Sequence, residues 1–446
     1  MGILKYAGIA LGLGMLASVC HAGRGRTSAV GGVSINADGV LKQMTRDEAG
    51  RLRTELQKSL EQAGTDLKES TKTRKVSLRR LALALQELVR DGKEIPDEIR
   101  HMAGLQRVNY VFVYPDQQDI VLAGPAEGWK VDEQGFVVGE TTGRPVLNIE
   151  DFVVAMRTAE QAARAGITCS IDPTQEGMQK LQQYVNGLGG RVGSTPAQKQ
   201  AILRQIEDQL GLQTITLGGV ATNSRFAHVV VGADYQMKRF AMGFDQSPVR
   251  GMPSFLQLSS GKGNNMFPRW WLTTNYEPLL KSADGNAWEL RGQGVKVMTQ
   301  DGFFNEQGER TTTDRVNPAA QKWADSMTGK YDELSAKAPI FGELRNAMDL
   351  AVITALIFKE GLHTKAGLDV NPLMDAGLPL MDLRIPKNVP TQASSLQKGR
   401  NFVISASGGV EINSWGVAGN SEPSNELTPV QQKSAADPTS WRWWWN

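Results

Sequence analysis

Four residues carry side chains that could form a catalytic centre: Cys169, Asp172, His228 and Glu127. Two of them share one stretch, GITCSIDPTQEG at Gly166–Gly177, where a short apolar run ends in Asp-Pro and passes into a helical pattern. A thiol close to a helix start feels the helix dipole, which lowers its pKa and makes it nucleophilic. A cysteine hydrolase also needs a histidine and an orienting group, brought together in space rather than in sequence. The plainer role for Cys169 is a small buried residue on a central strand, and the flanking Ile167 and Ile171 favour that role. Asp172 could be an acid at the C-terminal end of a strand, where open α/β sheets place ligands. It could equally be the N-cap of the next helix, and Pro173 at the first helical position favours the cap.

His228 stands six residues before Asp234, which is not a metal spacing, and the chain has no H-E-x-x-H. Asp234 and Lys238, four apart, are expected to pair on a solvated or interface face of the helix. Glu127, in PAEGW, lies between Pro125 and Gly128, so a turn explains it better than catalysis does. The run Gly187-Leu188-Gly189-Gly190 follows a helix rather than a strand, and Ser260-Gly261-Lys262-Gly263 lacks the phosphate-loop spacing. Neither a cofactor nor a metal is expected.

The elements that must hold these residues follow from periodicity. Val33–Leu41 alternates as a strand with a turn at Asp38-Gly39. Thr45–Glu69 reads as one long helix with Leu52, Leu56 and Leu60 at four-residue spacing. Ser77 caps a helix striped by Leu78, Leu81, Leu85 and Leu88, which Asp91-Gly92 ends. Val108–Tyr114 and Asp119–Gly124 form a hairpin, with a smaller one at Trp129–Gly139. Helices are expected over Asp151–Ala165, from Thr174 to about Asn186, from a capping box at Thr195, and over Arg225–Ala241. A strand is expected at Gln213–Leu217. Beyond a loop at Gly251–Asn265, strands at Trp270–Tyr276 and Ala287–Met298 precede two helices, Pro318–Ala336 and Ile340–Lys359. In the second, Met348–Phe358 is nearly all apolar, so that helix is expected to be buried on most sides. A last hairpin is expected from Phe402–Ser405 and Val410–Trp415.

The first 22 residues read as an export signal. Lys5 supplies the positive start, Ala7–Val19 is an uncharged run too short to span a bilayer, and Ala22 offers a cleavage point. A lipoprotein signal at Cys20 is disfavoured by the bulky Val19. Lys and Arg number 49 against 47 Asp and Glu, a net charge of +2 that argues against a nucleic-acid partner. Cleavage would leave Cys169 as the one cysteine, so no internal disulfide is expected. It would also leave three histidines, His101, His228 and His363.

The expected organisation is α+β, a mixed sheet with helices packed on it. Residues 23–32 are a flexible leader, 33–250 an N-terminal lobe, 266–416 a C-terminal lobe with a buried helical hairpin, and 417–446 a disordered tail. In that tail Trp441, Trp443, Trp444 and Trp445 suit a membrane interface or a partner groove.

LAGPAEGW at Leu122–Trp129, TGRPVL at Thr142–Leu147, CSIDPT at Cys169–Thr174 and ADYQMKRFAMG at Ala233–Gly243 occur in this order. With RWWLTTNYEP, GQGVKVM and YDELSAKAPIFGELRNAMDLAV, the chain resembles a domain-of-unknown-function family of exported proteins found mainly in planctomycete bacteria. The likeness spans roughly Val33–Gly367. It implies export and a shared fold, and it assigns no residue a role. The leading functional expectation is therefore a non-catalytic exported protein that binds an envelope or extracellular partner. The alternative is an exported hydrolase centred on Cys169 or Asp172.

Overall fold

The computed structural model describes residues 33–35, 40–43, 46–188, 195–259, 268–300, 302–304, 310–312, 316–395, 402–403, 407–437 and 439–446. The expected signal at 1–22 and leader at 23–32 lie outside the described residues, as do residues 260–265 of the expected Gly251–Asn265 loop. The fold class is α+β, with helices packed on two mixed sheets.

The first sheet has six strands in the order Gly294–Gln300, Arg269–Asn275, Ser407–Ile412, Ile167–Pro173, Leu212–Gly218 and Asn388–Pro390. All neighbours are antiparallel except Arg269–Asn275 with Ser407–Ile412. Ser407–Ile412 therefore slots between strands from two distant parts of the chain. Two glycines let it in. A Cβ on Gly408 would strike the carbonyl oxygen of Trp270, and one on Gly409 would strike that of Cys169. Gly408 also sits at a φ of 140°, open to glycine alone in practice. This strand replaces the last hairpin expected from sequence, because Phe402–Val403 pairs instead with Ser394–Ser395.

The second sheet has seven strands: Ser421–Pro423, Leu279–Lys281, Ala287–Glu289, Tyr110–Tyr114, Asp119–Ala126, Thr71–Ser77 and Trp444–Trp445. Both sheets draw strands from both sides of residues 250–266, so that stretch does not divide the molecule into an N-terminal and a C-terminal lobe.

The tail is likewise ordered into the fold, against expectation. Trp444 and Trp445 pair with Val76 and Lys75. The Trp444 indole donates to Glu98 Oε1 at 2.8 Å, and Arg74 donates to Asn446 Oδ1 at 2.8 Å. Trp443 and Trp444 are buried, and of the four tryptophans Trp441 alone is exposed, at 88%. A row of indoles free to meet a membrane does not exist here; burying large aromatic area outweighs the entropy of ordering the segment.

Two large hydrophobic cores result, one under each sheet, beside two small clusters around Leu181 and Phe112, and the helix Pro339–Lys359 serves both large ones. Phe341, Leu344 and Met348 pack into the first core, and Leu350, Ile353 and Leu356 into the second. Elsewhere tertiary contacts shorten or break the expected elements. The long N-terminal helix stops at Ser59, because the Glu61 N–H is taken by Asp97 Oδ2 at 2.8 Å and its carbonyl by the Trp129 indole at 3.1 Å. The strand Thr71–Ser77 carries Lys72, Arg74 and Lys75 and so gave no apolar signal. Arg74 is buried in it, with carbonyls of Leu67 and Ala103 as acceptors at 3.1 and 2.7 Å.

Candidate functional site

The strand Ile167–Pro173 and the helix Arg225–Ala241 carry three of the four residues picked out by type. Cys169 is 4% exposed, opposite Val410 and Leu217 in the sheet. Burial pushes its thiol well above the usual range; Asp234 adds to this and Lys238 opposes it. The histidines are placed elsewhere. His228 Nδ1 lies 3.3 Å from the Ser224 carbonyl, His363 packs edge-on against Phe358, and the His101 ring lies 5.5 Å from that of Trp129. The structure brings none of them to the thiol in the contacts described.

Asp172 is not the cap. The strand keeps its register through Pro173 opposite Gln213, so the chain stays extended past Asp172. The helix begins at Gln175, and Thr174 caps it: its Oγ1 accepts from Gly177 N at 3.0 Å. The Asp234–Lys238 pair forms at 3.0 Å, yet it is buried rather than solvated. Lys238 Nζ also donates to the carbonyls of Ile171 at 2.9 Å and Gly408 at 3.3 Å. Three acceptors match three ammonium protons, so Lys238 staples its helix to the two central strands. Burial lifts the Asp234 carboxyl to about 6 despite Lys238. Glu127 is closed as well. Its carboxylate accepts from Gln106 Nε2 at 2.7 Å, Thr142 N at 2.9 Å and Oγ1 at 2.5 Å, and Thr141 N at 3.1 Å. Burial would raise its pKa, but these bonds hold it below the usual value. It ties the Thr141–Thr142 turn to the sheet.

A different set of side chains converges on a cavity of about 420 Å³. Its wall is apolar, built from Leu52, Leu56 and Leu60 on one side and Ile95, Phe136 and Val146 on others. Its floor is charged. Arg225, the first residue of its helix, forks to Asp151 and Glu343. Ser224 sets that fork by capping the helix, its Oγ accepting from Ala227 N at 3.2 Å. Asn148 caps Ile149–Arg157 in the same way and so fixes Glu150 and Asp151 in the first turn. Arg100 binds Glu150 and lies 3.5 Å from Asp97. His101 completes the floor.

Burial raises the Glu343 carboxyl to about 7, with Arg225 opposing and Asp151 adding to the rise. Asp151 rises to about 6 for the same first reason, with Arg225 opposing and Glu150 adding. Burial pushes the His101 imidazole down to about 3, helped by Arg100 and Arg225, so it is neutral. Among the described residues three polar atoms of this cluster have no hydrogen-bond partner: Glu343 Oε2, Asp151 Oδ1 and His101 Nε2. Buried polar atoms are seldom left so.

Sequence reasoning passed over Arg225 and Glu343, 118 residues apart. One signal was present: Glu343, Arg345 and Asp349 sit in a helix buried along nearly all its length, and charges there must find partners inside.

Residues 169–255 match the model of a family described only as proteins of unknown function, DUF1598. The matched stretch runs from Cys169 past the Lys238 staple and includes Arg225. No curated protein and no solved structure matches the chain. No helix among the described residues is long and apolar enough to cross a membrane.

Proposed function

We propose that this is an exported binding protein, which holds a small and largely apolar molecule in the cavity floored by Arg225 and Glu343 and does not transform it. The observation that carries the reading is the cavity itself: an apolar wall, a size within the usual range for ligand sites, and a few converging polar groups. Export rests on the charge, apolar run and small residues of the first 22 positions. The hydrolase reading has less support. The Cys169 thiol is buried with a raised pKa, the reverse of what thiolate chemistry needs, and Asp172 is held in a strand.

Native mass spectrometry of the protein from its own host tests both parts. A chain beginning at Gly23, carrying a bound small molecule that is lost on substituting Leu56→Trp in the cavity wall, is the expected result. An unprocessed cytoplasmic chain would remove the export reading. A ligand retained in the Leu56→Trp variant would remove the cavity reading.

A further inference from the structure

We infer that the cavity selects an apolar molecule with a protonated amine at one end, the ammonium group docking beside Glu343 and Asp97 in the acidic part of the lining. This rests on the reading of the cavity as a ligand site, and it follows from which charges there are already committed.

Two cations reach the cavity, Arg100 and Arg225. Both are spent. Arg225 is forked between Asp151 and Glu343, and Arg100 between Glu150 and Asp97, with the Ile95 carbonyl at 3.3 Å as a further acceptor. An incoming anion would meet no uncommitted positive charge. It would meet Glu343 and Asp97 on the floor, and Glu55, Glu61 and Glu94 on the exposed lining.

The uncommitted atoms are of one kind. Glu343 Oε2 and Asp151 Oδ1 can only accept when ionised, while His101 Nε2 lies 3.8 Å from Asp97 Oδ1 and so faces a carboxylate. Glu343 is 5% exposed and His101 4%, and both line the cavity. An ammonium group brings three donors and one positive charge, which suits acceptors in an excess of negative charge. An alcohol brings one donor and no charge. A carboxylate brings only acceptors and repulsion.

Three probes with one eight-carbon tail separate these cases: octylamine, octanol and octanoate, titrated into the chain from Gly23 at pH 8 by calorimetry. Octylamine is expected to bind at least about tenfold more tightly than octanol, the effect of one charge-assisted contact, and octanoate more weakly than octanol. Glu343→Gln is expected to remove the preference for the amine and to leave octanol unchanged. Equal affinities, or octanoate the tightest, would overturn the amine inference while the cavity reading stood. Binding of none of the three would overturn the cavity reading and the inference with it. If Glu343→Gln does not fold, the order of the three probes on the unaltered chain decides.

Discussion

Glu343 and Asp349 lie six residues apart on one buried helix, and each faces an arginine, yet their surroundings differ. Asp349 is fully buried and closed. Arg107 grips it with two bonds of 2.9 Å, one to each oxygen, and the Tyr276 hydroxyl donates to Oδ1 at 2.6 Å. A third arginine nitrogen donates to the Gly292 carbonyl at 3.0 Å. Glu343 shares its arginine with Asp151, keeps one oxygen without a partner among the described residues, and borders a cavity. Burial of charge is common to both and so does not mark a site. What distinguishes them is whether the hydrogen-bonding capacity is used up. A saturated cluster positions the fold; an unsaturated one beside a cavity keeps hydrogen-bonding capacity that the fold itself does not use.

The largest test of that contrast is Asp349→Ala. It strands Arg107 in the interior and should cost about 3–5 kcal/mol in urea unfolding. A cost no larger than that of an ordinary surface change would mean the knot is not the closed structural unit described.

Glu343→Gln should behave differently, with an effect that depends on pH. The Glu343 carboxyl rises from 4.5 to about 7 on folding. The native state therefore holds this proton more tightly than the unfolded chain, and stability from this group is lost as pH rises from about 4.5 to about 7. His101, whose folded value falls to about 3, contributes with the opposite sign below about 6.5, so the unaltered protein shows a partly cancelled profile. Asp151, lifted to about 6 by burial, shares Arg225 and titrates with the same sign, so subtracting the parent profile reports the Glu343–Asp151 pair. The stability of the Gln variant relative to the parent should improve between pH 5 and pH 8, by up to about 3 kcal/mol. A difference that does not change with pH would place Glu343 in the closed class with Asp349.

Tyr276→Phe removes a single donor from an oxygen that Arg107 still holds. About 1 kcal/mol is expected at pH 7, measured by the denaturation midpoint. Leu56→Ala is the smallest change. This half-buried side chain lines the cavity rather than filling the core, so stability should shift by no more than about 0.5 kcal/mol. A larger loss would show that the cavity wall is core packing.

Local structure was legible in the sequence wherever it depends on neighbours. The caps at Ser77 and Thr195 and the end at Gly92 stand where the residue types put them. So do the helix Arg225–Ala241 and the burial of Pro339–Lys359. Asp172-Pro173 misled because two signals compete there: Pro favours a helix start, but six positions of pairing with Leu212–Gly218 keep the chain extended. Sheet order was not legible, since pairing between remote strands leaves no local trace. The candidate site was hidden for the same reason. Its residues come from four separate helices, and Arg225 by type reads as a solvated side chain until its partners are known. Cys169, the most conspicuous residue by type, proved to be core.

The insertion of Ser407–Ile412 into the first sheet bears on how the chain reaches this state. Before that strand arrives, the sheet is two unconnected pieces, one built on Ile167–Pro173 and Leu212–Gly218, the other on Arg269–Asn275 and Gly294–Gln300. Each piece then presents an inner edge whose backbone groups seek a partner, and such edges are where strands of different molecules join. Joining the pieces requires closing loops that span much of the chain, a topology that folds slowly. A copy cut before residue 407 would lack the one strand that unites them, and it would keep both edges open for association with other copies.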